Sequence, residues 1–257
     1  MTISYLSIIC CLLLMAIPGY LLARFDLPLL QRSLLPVARM VVQMGVVAIV
    51  TWLLWHLDKP WVSLLWLVAM ALVAAWLLVK RARLQQLILL LPVWAGIATG
   101  VTVAGGMVLM ALRGVHPLSA RWMIPVGAVL MAHVLTTNLR GVSTYFETLR
   151  TDALSYYTRL GNGASRLAAL TPYVRQALRS MMAPALASLT TMGLFGLPML
   201  LSGLLMGGME PLQAVALFMI LVVASITASS LALVVTLWVA DRRVFNKRGE
   251  LKNVFMS

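Results

Sequence analysis

Charge is scarce in this chain, and negative charge scarcer still. Only 11% of the 257 residues are charged, with seven Asp plus Glu against 20 Lys plus Arg. A soluble domain carries about 25% charged residues, so a large water-facing domain is excluded. Asp26, Asp58, Glu147, Asp152, Glu210, Asp241 and Glu250 all fall in expected loops or at expected helix ends. No carboxylate lies deep in an apolar run, where proton-driven transporters commonly place their relay groups, and secondary transport is disfavoured accordingly. Cysteine is nearly missing. Cys10 and Cys11 are the only two, and helix neighbours diverge by about 100°, so they read as small apolar residues and no disulfide framework is expected. No Lys or Arg precedes the first apolar run, which argues against a cleaved leader and for a permanent first helix.

Catalytic signatures are missing as well. Nothing matches G-x-x-x-x-G-K-[ST], and Gly161-Asn162-Gly163 lacks the lysine, so ATP hydrolysis by a P-loop is excluded. H-E-x-x-H, G-x-S-x-G and C-x-x-C do not occur. An intramembrane enzyme is a minor third hypothesis. The chain shows no internal repeat, low-complexity tract or soluble linker.

What is present is apolar: 62% of the residues are hydrophobic. A spanning helix needs about 20 mostly apolar residues, and seven segments meet that length, at 3–23, 34–57, 61–79, 87–112, 122–138, 184–206 and 212–240. The expected fold is an all-α polytopic membrane protein with seven transmembrane helices, forming one transmembrane domain over 1–257. A formal charge of +13 would suggest nucleic acid in a soluble protein. In a membrane protein it is the positive-inside signal, and no nucleic-acid partner is expected. With the N-terminus outside, 17 of the 20 basic residues fall on the inner side, leaving Lys59, Arg113 and Arg121 outside. The N-terminus is therefore expected outside, the C-terminus inside, and the long gap at 139–183 in the cytoplasm.

That gap has a pattern of its own. Val142, Tyr145, Phe146, Leu149, Ala153, Tyr157 and Leu160 recur at helical spacing. Gly161-Asn162-Gly163 should end this helix, because Gly and Asn accept left-handed backbone geometry. A short helix over Ala164–Leu170 is expected next, then Thr171-Pro172 as N-cap and first turn of another helix with Val174, Leu178, Met181 and Met182 on one face. The residues leave two roles open: a hairpin resting on lipid headgroups through its arginines, or a docking element for a cytoplasmic partner.

Polar side chains inside the spans are few. His133 sits one helical turn before Thr136-Thr137. It suits a metal, a pore lining or a bond to a neighbouring helix, the last being the default. Gln43 reads the same way, since a buried amide in lipid needs partners. The 17 methionines offer soft ligands, but scattered as they are they read as adaptable packing. Ser225, Thr227, Ser229 and Ser230 suit close helix packing.

From Arg39 to its C-terminus the chain resembles the FetB/YbbM family of ABC-transporter permeases. The matching pieces are Arg39 and Gln43 in the second span, Ile124-Pro125 opening the fifth, and Gly163-Ala164-Ser165. They continue with Arg175, Arg179, Pro184, Ser188, Thr191-Met192-Gly193-Leu194, Leu197-Pro198, Ser202-Gly203, Pro211 and Ala214. The register from Ile124 to Ala214 needs no gaps, and the first span matches poorly. The resemblance implies seven spans, two copies around one path, a separate cytoplasmic P-loop ATPase that carries ATP and Mg, and export across the cytoplasmic membrane. No cofactor is expected on this chain. Bacterial members are linked to iron export, and plant relatives to aluminium tolerance and nucleotide-sugar transport. The implied coupling residues are Asp152, Arg159, Gly161, Gly163, Ala164, Ser165 and Arg166. The expected substrate path runs by the matching Arg39, Gln43, Ser188 and Thr191 together with His133, read from its own place in the span, with any metal ligand set unknown. This chain departs from the family pattern at His133, where the family has Asn, and at Ala187 and Thr190, where it has Asp and Lys. Those departures leave the cargo open. The alternative reading is a secondary transporter or channel for small solutes.

Overall fold

The computed structural model describes residues 13–14, 16–24, 30–112, 116, 118–192 and 198–245. Cys10 and Cys11, most of the expected first span at 3–23, Arg113, residues 193–197 and the basic tail at Lys247, Arg248 and Lys252 lie outside them. Nine helices and no extended strand occur among the described residues. The chain divides into two compact units, 1–57 and 58–257.

The first unit contains α1 (Ala16–Arg24) and α2 (Leu30–Leu57). α2 has 28 residues, about 42 Å at 1.5 Å per residue. Its C-terminal half, after Gln43, is apolar on every side, the mark of a helix whose solvent is lipid or protein.

The second unit contains α3 (Pro60–Arg81), α4 (Gln86–Ala111), α5 (Ala120–Thr151), α6 (Ala153–Gly161), α7 (Arg166–Thr191), α8 (Met199–Met206) and α9 (Pro211–Val244). Residues 35–57 of α2, together with α3, α4, α5 and α9, are long and apolar enough to cross a membrane.

The centre of this unit is an antiparallel pair, α4 against α9. Gly96, Gly100 and Ala104 on α4 and Ala228, Ala232, Thr236 and Ala240 on α9 are all buried. They repeat at four-residue intervals, so each helix offers a groove of small residues to the other. A Cβ at Gly96 would sit 2.4 Å from the Ala232 carbonyl oxygen, and one at Gly100 would sit 2.4 Å from that of Ala228. In lipid there is little hydrophobic drive between helices, and close backbone approach of this kind supplies the attraction.

α5 packs on both members of this pair, α3 packs on α4 and α5, and α7 packs on α5 and α9. Leu78, Leu89, Ile97, Leu130, Leu149 and Leu233 fill the space between them. The α3–α4 turn uses Arg83 at φ 54. The Arg83 amide donates to the Lys80 carbonyl and the Leu84 amide to that of Val79, which seats Leu84 in the core. At the opposite end, the Ala120 amide at the first turn of α5 donates to Asp58 Oδ1 at 3.1 Å.

Three expectations need correction. The segment 184–206 is not one continuous helix. α7 stops at Thr191, Met192 is extended at ψ 125, and α8 starts only after Pro198 at ψ 143. Proline cannot donate its backbone nitrogen to the preceding turn, so the chain restarts there. Second, Ala164–Leu170 is not a separate short helix. Ser165 is the N-cap, its Oγ accepting from the Ala168 amide at 3.3 Å, and α7 runs from Arg166 through Pro172 and Pro184. Thr171 therefore lies inside the helix, its hydroxyl donating to the Leu167 carbonyl at 2.8 Å. Third, the helix over 140–160 is broken at Asp152, whose φ of −110 and ψ of 33 are not helical. The break moves the apolar stripe by one residue, burying Tyr156 and leaving Tyr157 exposed.

Candidate functional site

Two places in the second unit gather polar side chains. The first is a cavity of about 410 Å³ walled by α5, α7, α8 and α9. His133 and Thr136 come from α5, Ser188 from the last turn of α7, Met192 from just beyond it, and Ser225 from α9. His133 lies thirteen residues into α5 from Ala120, about 20 Å along its axis, inside the stretch apolar enough to cross a membrane. Its Nε2 is buried with no hydrogen-bond partner. The hydroxyls point their protons back into their own helices. Ser188 donates to the Ala185 carbonyl at 2.7 Å, Ser225 to the Leu221 carbonyl at 2.7 Å, and Thr136 to the carbonyls of Ala132 and His133 at 3.1 and 2.9 Å. Each hydroxyl oxygen therefore keeps its lone pairs for another donor. No Asp, Glu, Lys or Arg is among the described lining residues.

The structure thus brings together His133 and Ser188 of the expected substrate path. It does not add Thr191, the last residue of α7, which is exposed and donates to the Ser188 carbonyl at 3.1 Å. Arg39 and Gln43 lie on α2 in the first unit, both exposed there. Ser225 joins the cavity wall although its sequence setting suggested packing alone. Asn138 is 1% exposed with neither amide atom hydrogen-bonded, and its signal in the sequence is an amide at the end of an apolar run.

The second place is the turn between α5 and α7. Asp152 ends α5, and its amide donates to the Thr148 carbonyl at 2.9 Å. Its Oδ1 accepts from Ser155 at 2.6 Å, while Tyr173 of α7 reaches its carbonyl at 3.0 Å and its Oδ2 at 3.2 Å. Burial and the neighbouring Asp152 carboxylate push the Tyr173 phenol above its ordinary range. α6 closes at Gly161, where the amides of Asn162, Gly163 and Ala164 donate to the carbonyls of Thr158, Leu160 and Arg159. Gly163, at φ 85, takes the left-handed geometry the sequence called for.

The arginines of this turn have separate fates. Arg159 is exposed, as are Gly161, Gly163 and Ser165, with Ala164 half-buried. Arg166 instead turns inward, donating to the Asp241 carbonyl near the end of α9 and stacking 4.3 Å from the Phe245 ring. Asp241 Oδ1 in turn accepts from the Tyr145 hydroxyl of α5 at 2.7 Å. Arg166, Asp241 and Tyr145 therefore tie α7, α9 and α5 together at one end of the bundle. The pairing of Tyr145 with Asp241, 96 residues apart, left no local trace in the sequence.

Residues 5–245 match the family described as Uncharacterised protein family (UPF0014). The chain belongs to that family. Among its relatives, Protein ALUMINUM SENSITIVE 3 of Arabidopsis thaliana is 27% identical over 226 residues, 86% of this chain and 80% of that one. The Probable iron export permease protein FetB of Escherichia coli (strain K12) is 23% identical over 245 residues, 93% of this chain and 92% of that protein. The UPF0014 membrane protein YjkA of Bacillus subtilis (strain 168) is 23% identical over 249 residues, covering 97% and 98%. No solved structure matches. Like its relatives, the UPF0014 chain is a multi-pass membrane protein.

Proposed function

We propose that this chain is the membrane-spanning permease subunit of an ABC transporter in the cytoplasmic membrane. Two copies enclose the path, and a separate cytoplasmic P-loop ATPase, holding ATP and Mg, supplies the energy. The chain acts as one permease domain over 1–257 and crosses the membrane seven times, with its N-terminus outside and its C-terminus inside. It binds no cofactor itself. Its cargo is a metal ion such as iron or a small metabolite, moved outward.

The observation that carries this reading is the match along nearly the whole chain to the family that includes a relative named as a probable iron export permease. The geometry supports it. A permease without its own ATPase must receive a mechanical push on a cytoplasmic element joined stiffly to its spans. The turn at 152–166 has that form: Gly161 to Ser165 stand at its tip, and Asp152 and Arg166 anchor it to the ends of three long helices. Basic residues gather at the same end. Because Gly96 lies by Thr236 and Gly100 by Ala228, the start of α4 and the end of α9 lie together, bringing Lys80, Arg81 and Arg83 to the side of Arg242 and Arg243. Lys59 and Arg121 flank the Asp58–Ala120 contact at the other end. That distribution suits an inner and an outer face.

The test is reconstitution. The purified permease in lipid should turn over no ATP. A P-loop ATPase that co-purifies with it should do so, and the permease should alter that rate. Robust turnover by the rigorously pure permease, or a partner ATPase indifferent to it, overturns the proposal.

A further inference from the structure

We infer that the cavity around His133 binds a small, largely apolar organic molecule that presents an N–H or O–H hydrogen-bond donor. This deepens the transport reading, on which its role as cargo site rests, by naming a substrate class. The binding itself does not depend on that reading.

Three observations lead there. The first is the polarity of the wall. The hydroxyls of Thr136, Ser188 and Ser225 spend their protons on backbone carbonyls, so they face a guest as acceptors. His133 Nε2, buried and without a partner, adds an atom whose hydrogen-bonding capacity is unmet, and in the tautomer that carries its proton on Nδ1 it accepts from the guest. A buried polar atom left this way costs about 1–3 kcal/mol, and a guest that bonds it recovers that loss. The wall also includes the C-terminal turn of α7, through Ser188, Leu189 and Met192. A helix C-terminus carries roughly half a negative charge, which favours the positive end of an N–H or O–H dipole.

The second observation is what the wall lacks. With no Asp or Glu among them, the described lining residues offer no carboxylate to a hard cation, which takes several oxygen ligands, commonly carboxylates. With no Lys or Arg there, a phosphate or carboxylate guest meets no counter-charge, and burying an unpaired ion is prohibitive. The third is size. About 410 Å³ is within the range of pockets that enclose small organic ligands. A bare ion bound by direct ligands at about 2.0–2.6 Å needs no such space. Leu189, Leu200, Leu221 and Ile226 complete a wall that suits an apolar body.

The experiment uses the full chain in lipid nanodiscs, without ATPase or nucleotide, and three probes: 1-naphthol, its methyl ether 1-methoxynaphthalene, and ferrous ammonium sulfate. Saturable binding is followed by naphthalene fluorescence, with empty nanodiscs subtracted. 1-Naphthol should bind roughly tenfold more tightly than the ether, the factor for about 1.4 kcal/mol. His133→Phe alone should reduce that preference, and His133→Phe combined with Thr136→Val, Ser188→Ala and Ser225→Ala should abolish it, with residual ether binding reporting that the variants are folded. His133→Gln, which restores an acceptor, should recover part of it. Ferrous ion should not displace 1-naphthol. Equal affinity for phenol and ether, a preference that survives removal of all four acceptors, or stoichiometric displacement by ferrous ion would each overturn the inference. Because no ATPase is present, these failures are distinct from failure of the ABC reading, which the reconstitution tests separately.

Discussion

At Gly100 two effects of opposite sign meet. Alanine is better than glycine inside a helix by about 1 kcal/mol, which favours Gly100→Ala. The added Cβ would fall 2.4 Å from the Ala228 carbonyl oxygen, a backbone atom that cannot swing aside. Overpacking of this kind costs about 1–3 kcal/mol, so the steric effect wins. Gly100→Ala should lower the thermal midpoint of the protein in detergent, whereas Gly106→Ala, with open space around its Cβ, should leave it level or raise it. Equal behaviour of the two variants would show that α4 and α9 do not approach as closely as described. Asp58 is a second residue whose worth is local. Its carboxylate accepts from the first turn of α5, where a negative charge also meets the positive end of the helix. Asp58→Ala should destabilise by about 0.5–2 kcal/mol, the usual loss for a removed cap, and Asp58→Asn by less.

At the scale of elements, the join between α5, α6 and α7 depends on a few atoms. Arg166→Ala removes both the donor to the Asp241 carbonyl and the stack on Phe245. Hydrogen exchange should then quicken together in 159–170 and 237–245, and remain unchanged around Gly96. Faster exchange confined to 159–170 would show that the turn is not tied to α9. The same geometry refines the coupling residues expected from the sequence. Arg159 faces outward and can meet acidic groups on a partner, whereas Arg166 is committed internally. Arg159→Glu should weaken ATPase pull-down in a salt-dependent way with the thermal midpoint unchanged. Arg166→Glu should lower the midpoint first. Tyr173 adds a pH dependence. Its phenol is held above its usual value by burial and by Asp152, so the folded state retains the proton more tightly than the unfolded chain. That contribution is complete below the ordinary tyrosine value of about 10 and is lost as pH rises through the folded value. Tyr173→Phe should remove this alkaline loss, read as thermal midpoint against pH.

For the whole molecule the question is which end faces the cytoplasm. Asn162 stands exposed at the tip between α6 and α7. Asn162→Cys, in a background with Cys10 and Cys11 replaced by Ala, should resist an impermeant maleimide in intact cells and react once the cells are opened. A cysteine at Lys59 should react in both. Efficient labelling at 162 in intact cells would invert the proposed orientation and remove the turn as a site for a cytoplasmic ATPase.

The sequence by itself determined the class of this protein, because membrane insertion is decided by local composition. Runs of about 20 apolar residues are properties of short windows, and α2 to α5 and α9 lie where those windows placed them. The Gly163 turn was legible for a similar reason: its left-handed backbone is a demand on one residue. The tertiary structure alone decided the rest. Whether 184–206 runs as one helix turned on how the chain passes Met192 and Pro198. Whether Thr171-Pro172 starts a helix turned on Ser165 having already capped it. A one-residue break at Asp152 changed which tyrosine is buried, since helical phase accumulates along the chain and a local slip moves everything after it. The convergence of His133, Thr136, Ser188 and Ser225 on one cavity, and of Arg166 on the end of α9, joins residues far apart in sequence. Only the packing of helices sets those distances.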